Sequence, residues 1–566
     1  MSDLILKSAL EMLYIWERQQ GNKIFLRQPE GDRWHELTWS EVGRQARCMA
    51  RVLNTLGCQE GDRVALLSKN CAQWIIADLA IMMAGCVSVP LYATQPPDSI
   101  QFVLDHSEAK VIFVGKVEQA DKVDIAIPDS IPRIAFPYAD GLKGTLKWND
   151  LIENTVPLGD NYVPGLDNLA TIIYTSGTTG FPKGVMHTFR SIAHAAVGYK
   201  ENNGFDKNDR LFSYLPLSHV AERVLVEMIG LYCGATISFA ESLETFSRNL
   251  QSVSPTAFFS VPRLWMKFQQ GVLEKIPQEK LTRLLKIPVV STLVKYKIKK
   301  GLGLHKARLI GSGAAPIAPS LLRWFEQIGV EILEGYGLTE NFGFATGTPK
   351  GEVRIGTVGR SMMFSETKID VNGEILTKSG SNTLGYYKDP VSTEMIYSDG
   401  FLRTGDIGEI DKDGYIKITG RVKEIFKTDK GKYIAPAPIE HRFITEFPYV
   451  EQLCVTGQSL PQPVALCVLH QKHREQPSEV LINEMAEALK RLNKSLEKHE
   501  QIERCILLRE EWTVDAGMMT PTLKIRRHKI EAKFQDLIAQ SANSTQTIIW
   551  EETFAEGRSV ETVLNG

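Results

Sequence analysis

This 566-residue chain has little cysteine, eight residues in all, scattered and with no C-x-x-C pair. A disulfide framework needs paired cysteines, so a stapled secreted scaffold is excluded and a reduced, cytoplasmic setting is expected. Net charge is nearly absent as well, at −2, which removes any global case for nucleic acid as a partner. Long uncharged apolar runs are missing. Residues 1–20 carry Asp3, Lys7, Glu11, Glu17 and Arg18 and hold no signal-peptide core. The most apolar stretch, residues 74–92, is interrupted by Asp78, Gly85 and Pro90, and reads as a buried helix feeding a strand, not a membrane span. There is no fixed-period repeat and no G-x-S-x-G elbow, so a serine hydrolase is rejected. His470 and His473 form H-x-x-H without cysteine or acidic neighbours in sequence, and read as surface residues.

What is present is ordinary globular composition, 43% hydrophobic and 23% charged, over a length that calls for a large domain and a smaller one. Helical and strand-like segments alternate through the first four hundred residues. Helical spacing runs over 38–56 and stops at Gly57, and residues 63–68 and 110–114 read as short buried strands. This alternation predicts layered α/β architecture with largely parallel sheets. A strand-like run over 414–420 gives way to the charged segment Arg421, Val422, Lys423, Glu424, as a solvated hinge between two cores would. Farther on, Ser478 is positioned to cap a helix whose apolar face is Ile482, Met485, Leu489, Leu492 and Leu496.

The most informative stretch begins at Ile172-Ile173-Tyr174. Strand character empties there into Thr175, Ser176, Gly177, Thr178, Thr179, Gly180, Phe181, Pro182 and Lys183. Glycines let successive N–H groups face inward around an anion, hydroxyls add donors, and Lys183 adds a point charge. That is a polyphosphate cradle. It is not the Walker pattern, because Pro182 and Gly184 break the required spacing.

The string resembles the signature of the adenylate-forming superfamily, in the form found in long-chain fatty acyl-CoA synthetases. Further motifs follow in the family's order: Ser213 through His219 to Arg223, then Gly311 to Pro316, and Glu334-Gly335-Tyr336-Gly337-Leu338-Thr339-Glu340. Thr404-Gly405-Asp406, Gly420-Arg421-Val422-Lys423-Glu424 and Thr520 to Arg527 complete the series. The likeness covers nearly the whole chain, leaving a tail from about Ala539 unassigned.

The resemblance implies a mixed α/β fold with a large N-terminal domain (1–420), a hinge (421–423) and a small mobile α+β C-terminal domain (424–566). It implies that fatty acid, ATP and coenzyme A give acyl-CoA, AMP and pyrophosphate through an acyl-adenylate. Roles carry over by position. Thr175, Ser176, Gly177, Thr178, Thr179, Gly180 and Lys183 would hold the β- and γ-phosphates. Thr339 would donate to the α-phosphate and Glu340 would hold Mg²⁺. Gly313, Ala314 and Ala315, with Glu334, Gly335, Tyr336 and Gly337, would form the adenine slot. Asp406, assisted by Arg421, would accept the ribose hydroxyls, and His219 would lie by the acyl carboxylate. Lys524 would reach in from the C-terminal domain. Lys423 would be the hinge, and the loop at Lys430-Gly431 would serve thioester formation.

Two departures stand out. Lys430 occupies a position where the family commonly has glycine, and Thr522-Leu523 replaces Ser-Gly before Lys524, as in long-chain members. Two alternatives stay open: transfer of the same adenylate to a carrier-protein thiol, and a non-catalytic acyl or nucleotide sensor. Homodimerisation is also left open. One segment stands apart, since residues 275–308 hold ten cations and the single carboxylate Glu279, interleaved with aliphatic residues. It fits peripheral docking on an anionic bilayer, attraction of coenzyme A phosphates, or a solvated helix face over a packed stripe.

Overall fold

The structure, a computed structural model, describes residues 5–139, 141–175, 182–447, 449–474, 479–520, 524–542, 544 and 546–552. Continuous apolar runs such as Arg63–Leu67, Val87–Leu91 and Val111–Val114 pair in parallel at the centre of an eight-stranded sheet. Strands covered on both faces need apolar side chains throughout, so these runs lack the alternation of a half-exposed strand. The helices Trp39–Thr55 and Ala72–Met83 pack on one another within the main core, and Thr38 caps the first by accepting from the Glu41 N–H. The latter helix and the strand Val87–Leu91 account for the apolar stretch around Asp78. Among the described residues no helix is long and apolar enough to cross a membrane.

Two further sheets position the site. Arg210–Ser213 and Thr236–Phe239 run parallel in one, and Ala257–Ser260, Leu309–Ser312 and Leu333–Tyr336 run parallel in the other. Residues that follow the carboxyl ends of such strands face a common crevice, the usual ligand position in open α/β sheets. His219, Gly313 and Gly337 all follow strands of this kind.

Residues 365–421 depart from the expected alternation. Ser365–Ile369, Glu374–Ser379, Phe401–Ile410 and Ile416–Arg421 form a wholly antiparallel sheet. Tight turns such as Asp370 to Gly373 and Asp411 to Gly414 connect its strands where crossover helices were expected. Arg421 is the last residue of a strand, paired with Asp406 across the ladder.

Two C-terminal cores draw only on residues from Phe426 onward. Helix Glu479–Lys494 buries Leu481, Met485, Leu489 and Leu492 there; its expected cap, Ser478, lies outside the described residues. The tail is also more structured than the sequence reading allowed. Ile548–Trp550 adds a parallel edge strand to Arg504–Leu508, with Ile548 and Ile549 buried. His470 likewise has an acidic neighbour after all, Glu451 Oε2 at 3.9 Å, contributed by a separate strand. All eight cysteines are buried and unbridged.

Candidate active site

A cavity of about 2220 Å³ lies between the large domain and the C-terminal one. It gathers residues far apart in sequence: Thr175, Lys183, His219, Gly313, Ala314, Ala315, Glu334, Gly335, Tyr336, Gly337, Thr339, Glu340, Asp406, Arg421, Lys423 and Lys524. The structure does not bring Lys430 or Gly431 to it. They form the turn between Phe426–Lys427 and Tyr433–Ile434, where Gly431 takes a positive φ of 77°. Ser176, Gly177, Thr178, Thr179 and Gly180 lie outside the described residues, as do Pro521, Thr522 and Leu523. The two ends of the phosphate loop are described: Thr175 pairs with Lys183 across an antiparallel ladder.

The Thr339–Asn341 turn is held from three directions. The His187 Nε2–H donates to the Thr339 carbonyl at 2.7 Å, the Thr383 N–H donates to the Glu340 carbonyl at 2.7 Å, and the Tyr386 hydroxyl donates to Glu340 Oε1 at 2.8 Å. Burial keeps His187 neutral, with its pKa lowered to about 4. None of His187, Thr383 and Tyr386 had a role assigned from the sequence, although Gly385-Tyr386-Tyr387 is one of the motifs that resemble the family. His187 was legible only as part of the Lys183–Thr188 strand, four residues after the loop lysine.

Lys183 is drawn sideways. Its ammonium lies 3.0 Å from Asp389 Oδ2, bonds Ser392 Oγ and sits 5.0 Å from the Tyr386 ring centroid. Asp389 also caps the helix Pro390–Met395 and is held at about 2 by Ser392 and Lys183.

His219 opens a short helix and its Nδ1 accepts the Ala221 N–H at 3.2 Å. With that nitrogen accepting, the neutral ring carries its proton on Nε2. Burial, then Lys524, lowers its pKa to about 3, so it stays a neutral donor at working pH. The loop before it is braced by Glu222, buried and raised to about 8 by desolvation, which accepts from the Tyr214 N–H at 2.9 Å. Asn70 braces the same loop, donating to the Leu215 carbonyl at 2.6 Å and accepting from the Leu217 N–H at 3.0 Å.

The apolar end of the cavity is lined by Phe205, Phe212, Val224 and Val226, among others. Val224 and Val226 belong to a π-helical turn, Arg223–Met228, a wide turn frequently found at functional sites. Arg223 anchors it from behind, fully buried against Asp78 at 2.5 Å and Glu227 at 3.2 Å and bonding Thr171 Oγ1 at 2.8 Å. The charge that interrupts the apolar helix around residue 78 is therefore this partner.

On the nucleotide side, Ala314 adopts a left-handed φ of 64° beside Gly313, whose absent Cβ would come within 2.7 Å of the Gly335 carbonyl. Buried Asp406 accepts from the Tyr336 hydroxyl at 2.6 Å and from Arg421 Nε at 2.7 Å. Both oxygens keep further lone pairs for a diol. Desolvation raises Glu334 to about 8. The Lys524 carbonyl accepts from the Thr520 N–H at 2.8 Å, beside an antiparallel bridge between Met519 and Ile525. The exposed Lys524 side chain lines the cavity, where desolvation between the two walls, then Arg421, lowers its pKa against the opposing pull of Asp406, Glu340 and Glu424.

These groups form a cleft for a polyanion beside a carboxylate, with an apolar pocket behind. Comparison with known proteins agrees. The sequence profile described as AMP-binding enzyme matches residues 14–387, and that of the AMP-binding enzyme C-terminal domain matches 423–546. The chain belongs to the AMP-binding enzyme family. It is 29% identical to the long-chain-fatty-acid–CoA ligase FadD15 of Mycobacterium bovis, over 92% of this chain and 95% of that one. It is 26% identical to the long-chain-fatty-acid–CoA ligase ACSBG2 of Xenopus laevis, over 92% and 81%. Among solved structures it is similar to the adenylation domain of a Mycobacterium chelonae carboxylate reductase (TM-score 0.80, 24% identity, 96% and 92% covered). It is also similar to the anthranilate CoA ligase AuaEII in complex with anthranoyl-AMP (TM-score 0.78, 23% identity, 95% and 99% covered). At these identities the structural likeness concerns the fold.

Proposed function

We infer that this enzyme is an AMP-forming long-chain fatty acid–CoA ligase, which activates the acid as an acyl-adenylate and then transfers the acyl group to coenzyme A. The observation that carries the reading is one cavity joining a cationic, donor-rich end to an apolar one behind the neutral His219.

A carboxylate resists attack because its charge repels nucleophiles and its leaving group would be oxide. Joining it to the α-phosphate creates a mixed anhydride with a good leaving group. The obstacle is bringing two anions together, so preorganised donors and cations are the main instrument. The His219 Nε2–H holds one carboxylate oxygen while Lys524 neutralises the other and the α-phosphate. Thr339 donates to that phosphate, and Lys183 with the 176–180 loop receives the pyrophosphate. Asp406 and Arg421 hold the ribose; Gly313, Ala314 and Ala315, with Glu334, Gly335, Tyr336 and Gly337, hold the adenine. Half-buried Glu334, its pKa raised to about 8 by desolvation, is suited to hydrogen-bonding a base edge.

Glu340 fits Mg²⁺: one oxygen takes Tyr386, and no group of three or more acidic, histidine or cysteine ligands occurs among the described residues. A single carboxylate suits a magnesium ion held mainly by phosphate oxygens and water. When bound, that ion would neutralise phosphate charge. For the thioester step, Lys423 acts as the hinge about which the C-terminal domain turns, carrying Lys430 and Gly431 toward the cleft.

The test is a panel of acyl chain lengths crossed with coenzyme A and a phosphopantetheine carrier protein, with products identified by mass. Long-chain acyl-CoA as the main product supports the reading. Acyl-carrier product alone would reassign the acceptor, and no adenylate with any acid would refute the ligase.

A further inference from the structure

The basic segment 275–308 resolves into a helical pair, Gln278–Leu285 and Pro288–Gly301, outside the cavity: none of its cations lines the cleft. Contact with cleft-bound phosphates therefore finds no support in the geometry. A packed stripe is present, since Val294 and Ile298, with Leu281 and Leu285 of the first helix, sit on a hydrophobic cluster, yet it is not the only apolar face of the pair. Helix Pro288–Gly301 buries Ile298 but turns Val289, Leu293 and Tyr296 outward at 74%, 57% and 50% exposure, with Ile287 just before it at 52%. Spacings of four and three residues put the three helical side chains on one stripe. Lys286, Lys297 and Lys300 flank that stripe, exposed and without an ion pair to any described carboxylate.

Charge is distributed to match. The segment's ten cations face one carboxylate, while the remaining 55 cations of the chain face 66 carboxylates, so +9 on this patch opposes −11 elsewhere. Such a molecule orients itself at a negative surface. The inner side of the same hydrophobic cluster, through Phe212, Phe258 and Ile310, walls the cavity.

We propose that Ile287, Val289, Leu293 and Tyr296, ringed by Lys286, Lys297 and Lys300, form a docking surface for an anionic lipid bilayer. The aliphatic stripe enters the headgroup boundary and the lysines meet lipid phosphates, the geometry of an interfacial amphipathic helix. This deepens the ligase reading, and rests on it only for its purpose: a long-chain acid partitions into the same bilayer, so docking shortens its path to the cleft.

The experiment uses the full chain with phosphatidylcholine vesicles and with phosphatidylcholine–phosphatidylglycerol vesicles, by sedimentation across a salt series. The wild type should sediment with the anionic vesicles only, and less so as salt rises. Lys286→Ser/Lys297→Ser/Lys300→Ser should lower the partition coefficient about fivefold per lysine, roughly a hundredfold in all. Val289→Ser/Leu293→Ser should lower it at least about tenfold. Both variants should ligate a water-soluble medium-chain acid as the wild type does, which separates loss of docking from misfolding or loss of the ligase. Wild-type binding to neither vesicle, or variants that bind as the wild type does, would overturn the proposal. So would a concentration-dependent dimer abolished by Val289→Ser/Leu293→Ser, since the stripe would then belong to a second copy of the chain.

Discussion

The two walls of the cleft are built differently. On the large-domain wall, the Thr339–Asn341 turn is pinned by His187, Thr383 and Tyr386, and the His219 loop by Asn70 and Glu222. On the facing wall, Lys524 is tied through its carbonyl to the Thr520 N–H, and its ammonium lies in the field of Asp406, Glu340 and Glu424. The first wall is preorganised by buried neutral groups, the second by charge across a domain boundary. A donor held by buried hydrogen bonds stays aimed through the whole cycle. One held by long-range charge can leave when its domain turns, which a two-step reaction through one cleft requires.

Removing the lysine of the facing wall should therefore cost most, and in one step only. Lys524→Ala should lose ~100- to 1000-fold in adenylation, the usual cost of one preorganised donor at developing charge. The same variant should still convert supplied acyl-adenylate and coenzyme A to thioester. Pyrophosphate exchange reads the first step and synthetic adenylate the second; equal loss in both would erase the distinction between the walls.

Loosening the pinned wall should cost less. His187→Ala frees the Thr339 carbonyl without removing any group that meets substrate, and a small displacement of such a turn costs on the order of 10- to 100-fold in rate. His187→Asn, which keeps a donor near the same carbonyl, should recover part of it. Because His187 is lowered to about 4, the neutral donor persists through the working range, so the wild-type pH profile should show no inflection from it. Failure of the asparagine to recover any activity would mean that His187 acts through bulk against Phe342, whose ring centroid lies 4.9 Å away.

Sequence pointed to residues that line the cleft and gave no role to the groups that support them. Thr339, Glu340, Asp406 and Lys524 each sit in an ordered motif, where chemistry restricts the residue type. His187, Tyr386, Asn70 and Glu222 act through partners 8 to 152 residues away, and only the fold sets those distances. Asp78 shows the limit well. In sequence it is a charge spoiling an apolar helix, and its meaning depends on Arg223, 145 residues on. The antiparallel sheet over 365–421 was hidden for a related reason. Its outer strands are partly exposed on both faces and its ten-residue strand Phe401–Ile410 mixes polar with apolar residues, so the sheet lacks the apolar runs that reveal a buried parallel strand.

The pinned wall should also carry a pH signature in stability. Glu222 titrates at about 8 when folded and near the ordinary glutamate value of 4.5 when unfolded. The unfolded chain releases this proton first, so the folded state loses stability as pH rises from about 4.5 to 8 and no further above that. Glu222→Gln mimics the protonated group and should remove this slope, a difference of a few kcal/mol at pH 8. Thermal melts of both proteins at pH 5 and pH 8 decide it: parallel shifts would show that Glu222 does not titrate in this range.

The smallest effect should come from an ion pair that joins the two domains outside the cleft. Arg263, on the large-domain helix Pro262–Lys275, lies 2.9 Å from Glu451 on the C-terminal strand Val450–Thr456, and Glu451 is also held by Arg474 at 2.9 Å. This contact belongs to the arrangement with Lys524 in the cleft, and the proposed rotation of the C-terminal domain would break it. Arg263 is 42% exposed, so the pair contributes no more than ~1 kcal/mol, or about fivefold in the balance between arrangements. Arg263→Ala should accordingly slow adenylation by about two- to fivefold while leaving thioester formation unchanged or slightly faster. High salt should erase the difference from wild type, because screening weakens the pair in the parent as well. Opposite movement of the two half-reactions would place this contact in the domain equilibrium; a matched decline in both would mean that Arg263 supports the fold of its helix and has no part in the alternation.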